Sequence, residues 1–221
     1  MMNARQAFDA ELKDLSDALI HMGEMASNAI DKAITALLTG DKALAKEVAD
    51  DDDLLDEMER TIEQKCLRLL LKQQPVAGDL RKISTAIKMV TDIERIGDAA
   101  EDIAEITLEM TAPVFPDILD DLKKMTDAVR QMVSAAIKAY VNEDLDLART
   151  TRAKDDIVDE LFEDIRTILG EKIRTDVTQM YTAMDYLMII KYLERVGDHA
   201  ENICEWVEFY KTGIRKDERI F

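Results

Sequence analysis

Three prolines and seven glycines in 221 residues leave this chain few places to turn. Aromatic residues make up only 5% of it, and no stretch alternates β-branched with polar side chains, which excludes a sandwich or barrel. No apolar run approaches the roughly 18 residues that suggest a bilayer span. Nor does a basic, apolar, small-residue leader open the sequence, so neither membrane insertion nor export is expected. Two cysteines, Cys66 and Cys204, are too few for a disulfide framework. As free thiols they read as small core residues and point to the cytoplasm. Cationic charge is short as well, with 29 Lys and Arg against 47 Asp and Glu and a net charge of −18. Phosphate contacts need clustered cations, so nucleic acid is not an expected partner. No basic pocket for phosphate itself is visible either.

What remains is helix, and it is duplicated. Residues 88–106, KMVTDIERIGDAAEDIAEI, return at 188–206 as MIIKYLERVGDHAENICEW, with eight of nineteen positions identical. The identities include Glu94/Glu194, Arg95/Arg195, Gly97/Gly197, Asp98/Asp198 and Glu101/Glu201. Upstream, DDLLDEM at 52–58 matches DDIVDEL at 155–161, an offset of 103 that becomes 100 in the later block. Such self-similarity decides the fold before any local signal does. Breaks near residues 40–41, 73–78, 113–116, 142–143 and 170–175 cut the chain into six long helical runs, three per copy. The expected architecture is all-α: two tandem three-helix bundles, at 1–112 and 116–221, separated by a hinge at 113–116.

Helical phase locates the chemistry. Stepping three or four residues from Val90 along the apolar stripe reaches Glu94, Gly97 with Asp98, and Glu101. From Ile190 it reaches Glu194, Gly197 with Asp198, and Glu201. On the preceding helices Asp52 with Asp56, and Asp155 with Asp159, lie on or beside the equivalent stripes. Each copy thus aims two acidic i, i+4 pairs at one bundle surface. Carboxylates gathered at a partly buried groove must take up protons or a cation. Oxygen-only donors suit hard ions, here Mg²⁺, Ca²⁺, Mn²⁺ or ferric iron. The expected metal ligands are Asp52, Asp56, Glu94, Asp98, Asp155, Asp159, Glu194 and Asp198, with Glu101 and Glu201 behind them. A glycine inside a helix costs about 1 kcal/mol against alanine, so Gly97 and Gly197 mark a close approach, by a ligand or by another helix. Arg95 and Arg195 are expected to pair with neighbouring acids, and His199, opposite Ala99 in the first copy, to be solvated.

No nucleophile triad, phosphate-cradling glycine loop or dinucleotide fingerprint is present, so no enzyme is expected. A helical di-iron oxidase would need histidines three residues after its glutamates, and Glu94 and Glu194 have glycines there.

The duplicated ERIGDAAEDI and ERVGDHAENI, with PVAGDLRKI at 75–83 and YLERVGDHAENI at 192–203, resemble the PhoU family over nearly the whole length. That resemblance implies pseudo-twofold symmetry between the bundles, a cytoplasmic protein and a homodimer. It implies a negative regulator of phosphate uptake and of the phosphate-starvation response, an adaptor between the ATPase subunit of a phosphate ABC transporter and a sensor histidine kinase. It also implies metal clusters on Glu/Asp-x-x-x-Asp motifs, which match the four acidic pairs above. The alternatives are a metal-binding structural protein, or an accessory of another transporter without a signalling role.

Overall fold

A computed structural model describes residues 4–72, 75, 77–111, 114–215 and 218–219. Pro113 of the expected hinge, and Gln73, Gln74 and Val76 of the expected first-copy loop, lie outside the described residues. The first copy holds α1 (Ala4–Thr39), α2 (Lys42–Asp51), α3 (Asp53–Lys72) and α4 (Ala77–Glu109). The second holds α5 (Leu119–Asn142), α6 (Leu145–Arg152), α7 (Asp155–Thr175), a 3-10 turn (Val177–Gln179) and α8 (Met180–Thr212). A two-residue antiparallel pair, β1 (Ile214–Arg215) with β2 (Glu218–Arg219), follows α8.

These are two tandem three-helix bundles whose middle helix is broken in each copy. Runs α2–α3 and α6–α7 are each one expected helix, interrupted at Asp52 and at Ala153–Lys154. At the first break the Leu55 amide donates to the Asp52 carbonyl at 2.8 Å, a three-residue reach that tightens the turn. The second break has the same reach, Ile157 to Lys154 at 3.1 Å.

Short polar side chains cap the starts of α2 and α6. Asp41 accepts from the Ala43 and Leu44 amides that begin α2, and Asp144 accepts from the Leu147 amide of α6. At the other end of α5, Glu143 adopts φ 51°, a left-handed cap rarely taken by a residue with a side chain. Its carboxylate then reaches α8, accepting from the Tyr210 hydroxyl at 3.1 Å and Lys211 Nζ at 2.5 Å.

The core follows the stripes. Leu15, Leu19, Met22, Ala26, Ile30, Ala33 and Leu37 of α1 are buried, all at three- or four-residue steps. Helix α4 is packed by α1, α2 and α3 on one side and by α8 on the other, while α8 is packed by α5, α6 and α7. The α4–α8 seam therefore joins the bundles, with α1 against α5 beside it. Both cysteines are buried and free, as expected of core thiols.

Polar contacts in the seam show the twofold relation directly. Asp92 of α4 accepts from Asn202 Nδ2 of α8 at 3.4 Å, and Tyr192 of α8 bonds Asp102 of α4. Under the 100-residue offset these are one contact made twice. Asp92 also takes His199 Nδ1 at 3.0 Å and Trp206 Nε1 at 3.1 Å. His199 is therefore a seam residue, only 19% exposed, rather than a solvated one. The second copy replaced Ala99 with a side chain long enough to reach across.

Candidate metal centres at the helix breaks

The first break places Asp52 at the corner between α2 and α3, with Asp56 one turn on and α4 passing behind. One carboxylate oxygen each from Asp52, Asp56 and Asp98 lies within 4.8 Å of the others, all three side chains half-buried. Two oxygens that ligate one Ca²⁺ can stand at most roughly 5 Å apart, so these three need little movement to share an ion. Gly97 makes the approach possible. A β-carbon there would stand 2.5 Å from Leu55 Cδ1 and 3.5 Å from Asp52 Oδ1. At Gly197 it would stand 2.9 Å from Asp155 Oδ1 and 3.5 Å from Val158 Cγ1. Both glycines thus let the acidic corner and the following apolar residue press against the neighbouring helix.

Electrostatics show what this crowding does. Burial, then the Asp98 charge, pushes Glu94 up to about 7. Burial and Asp52 push Glu101 up to about 7, and Asp52 itself is raised by burial and by Asp98. A hydrogen bond joins Asp52 to Glu101, so without a metal one proton serves this pair as its cation. In the second copy burial, Glu201, Asp159, Asp198 and Glu194 together raise Asp155 to about 7. Asp159 and Asp198 are raised as well, in each case by burial and then by Glu194.

All eight expected ligands therefore sit at the two corners, but the corners are not alike. In the first, Arg95 holds Asp98 at 2.6 Å and Arg60 holds Asp56 at 2.9 Å. Arg95 Nε stands 3.3 Å from Glu94 Oε2, yet that buried oxygen has no aligned hydrogen-bond donor. In the second, Lys191 holds Glu194 at 2.5 Å and Arg152 holds Glu201 at 3.3 Å. Among the described residues only Asp52, Asp56 and Asp98 come close enough to share one ion as they stand. Arg152 and Lys191 escaped the sequence reading because their first-copy equivalents are Ala49 and Thr91. Comparing the copies for gained cations was the available signal.

The donors present fit a hard metal ion. They are carboxylate oxygens throughout, one of them buried without a donor, in a cradle that a single methyl group would fill.

Comparison with known proteins agrees with the duplication. The family described as "PhoU domain" matches twice, at residues 19–107 and 122–207. The phosphate-specific transport system accessory protein PhoU homolog of Clostridium acetobutylicum is 36% identical over 214 residues, 96% of this chain and 98% of that one. A counterpart from Thermotoga maritima, homolog 1, is 38% identical over 212 residues, 96% of this chain and 91% of its own length. Among solved structures, PhoU from Pseudomonas aeruginosa superposes with a TM-score of 0.89 at 33% identity, covering 94% of this chain and all of that one. The phosphate transport system regulatory protein PhoU from Streptococcus pneumoniae gives 0.86 at 26% identity, covering 96% of this chain.

Proposed function

The chain belongs to the PhoU family, and from that premise we propose that it is an accessory protein of a phosphate-specific transport system. It acts by binding. As a cytoplasmic homodimer it contacts the ATPase subunit of the transporter and a sensor histidine kinase, restraining uptake and the starvation response while phosphate is ample. The observation that carries this reading is end-to-end similarity, through both copies, to relatives named for that role. No helix among the described residues is long and apolar enough to cross a membrane, which suits a protein that works beside a transporter.

In this reading the acidic corners hold hard metal ions. Asp52, Asp56 and Asp98 are the first ligands, joined by Glu94 and Glu101; Asp155, Asp159, Glu194 and Asp198 form the second set, with Glu201. A bound ion supplies positive charge that ties the middle helix of each bundle to α4 or α8. The protein's own part is to hold the carboxylates together through Gly97 and Gly197 and to shield them with Arg95, Lys191 and Arg152.

Two measurements test these claims separately. Tagged protein recovered from phosphate-grown cells should bring down a phosphate-transporter ATPase, and deletion should switch on phosphate-starvation genes in rich phosphate. Normal repression in the deletion strain, with no ATPase recovered, would defeat the adaptor role. Metal content without either effect would instead favour a structural metal protein. Elemental analysis of protein purified without chelator should find more than one metal equivalent per chain. Glu94→Ala with Asp98→Ala should remove about half, since the second corner is untouched. Unchanged metal in that variant would remove the first corner from the metal sites.

A further inference from the structure

Far from both acidic corners, the start of α4 and the end of α8 enclose a surface hollow of about 450 Å³. Arg81, Lys82, Tyr210 and Lys211 line it, together with Asp9 and Asp79. In a chain of net charge −18 this is an unusual concentration of cations. Its acids are already occupied. Arg5 bridges Asp79 at 2.6 and 3.2 Å and Asp9 at 2.9 Å, and Glu143, just outside, is held by Tyr210 and Lys211.

Arg81 and Lys82 are left over. Neither has an ion-pair or hydrogen-bond partner among the described residues, and Arg81 Nε is buried without an acceptor. An arginine nitrogen stripped of water and given no oxygen loses free energy unless something else supplies one. Gly213 folds the chain over it: a β-carbon at that left-handed residue would stand 3.7 Å from Arg81 Cδ. The guanidinium is thereby confined at the hollow's wall instead of extended into bulk solvent. The positive end of α4, 33 residues long, lies at the same place.

We propose that this hollow is a binding site for inorganic phosphate, held by Arg81 and Lys82 together with the N–H groups of Lys211 that Glu143 leaves free. A flat carboxylate is satisfied by one arginine fork, as Asp79 is by Arg5 beside it. Two unpaired cations side by side on α4, with spare N–H groups on Lys211 across from them, suit a tetrahedral dianion better. The sequence showed no such site because Arg81 and Lys211 are 130 positions apart. The hollow stands apart from the metal ligands and does not depend on the transporter role.

Calorimetric titration of inorganic phosphate into the full chain tests it, with a strong chelator present so that phosphate held on bound metal does not register. The expected result is one saturable site per chain, weakened about tenfold or more by Arg81→Gln and by Lys82→Gln. Lys82→Gln alters a side chain at the hollow's edge, so it keeps the test open if Arg81→Gln fails to fold. Absence of saturable binding, or equal binding by wild type and Lys82→Gln, would overturn the site. Sulfate binding as tightly as phosphate would overturn the assignment to phosphate.

Discussion

Stripped of metal by a chelator, the protein should lose stability as the pH rises from about 5 to about 8, against the usual behaviour of carboxylates in folded proteins. Glu94, Glu101 and Asp155 are each pushed up to about 7, first by burial and then by neighbouring acids. In the unfolded chain they titrate near their ordinary values of 4.5, 4.5 and 3.8. Between those values and about 7 the folded state binds more protons than the unfolded one, so stability falls with rising pH. It is fully present below the unfolded values and is lost by the time the pH passes the folded ones. One pKa unit is about 1.4 kcal/mol before solvent screening. Because the corners are only half-buried, screening leaves a total on the order of a few kcal/mol. For a domain of this size that is roughly 5–10 °C in Tm. Excess Mn²⁺ added at the upper pH should restore the loss, because the ion binds the folded, deprotonated corners and not the unfolded chain. Scanning calorimetry at the two pH values, with and without Mn²⁺, reads both effects. A metal-free Tm that stays level or climbs with pH would mean that the carboxylates do not crowd one another.

Replacing Asp92 with alanine should weaken the join between the bundles more than any surface substitution. That one carboxylate accepts from His199, Asn202 and Trp206, and it is only 14% exposed. Its removal leaves three donors on α8 facing α4 with no acceptor. A stranded donor costs about 1–3 kcal/mol, and partial access to water reduces the sum, so the expected loss is about 3 kcal/mol. Tyr192→Phe removes the symmetry-related contact to Asp102, where a single bond is lost, and should cost about 1 kcal/mol. Urea unfolding monitored by circular dichroism separates the two. The Asp92→Ala transition should also broaden, because bundles that hold each other less tightly unfold less cooperatively. An alanine variant within about 0.5 kcal/mol of wild type would mean that the seam is held by apolar packing alone.

Much of this was legible in the sequence. Scarcity of glycine and proline, with a repeat of 100 to 103 residues, specified six helical runs in two copies. The acidic pairs were visible because helical phase puts Asp52, Glu94 and Asp98, and their second-copy equivalents, on or beside the buried stripe. Gly97 and Gly197 announced a close approach, and the structure identifies what approaches: Leu55 and Asp52 in one copy, Asp155 and Val158 in the other. The breaks at Asp52 and Ala153–Lys154 were not legible, since no proline or glycine marks either one. Apolar spacing runs through both corners almost undisturbed. His199 was misplaced for a similar reason: its partner, Asp92, lies on another helix 107 residues away.

Composition, periodicity and the internal repeat determined that this chain would be helical, twofold and acidic at its grooves, because helix and acidic phase follow from residues a few positions apart and the twofold from comparing the chain with itself. Only the tertiary structure decided which acids meet. The angle at each corner and the sliding of one helix along another are set by packing between distant segments. Those same contacts turned Arg152 and Lys191, which the second copy gained in sequence, onto its corner, while Asp52, Asp56 and Asp98 stay gathered in the first. They also brought Arg81, Lys82 and Lys211 together at the far end of an otherwise acidic molecule. Arg81 and Lys82 are neighbours in the chain, but only the fold sets Lys211 beside them, by bringing the end of one long helix back beside the beginning of another.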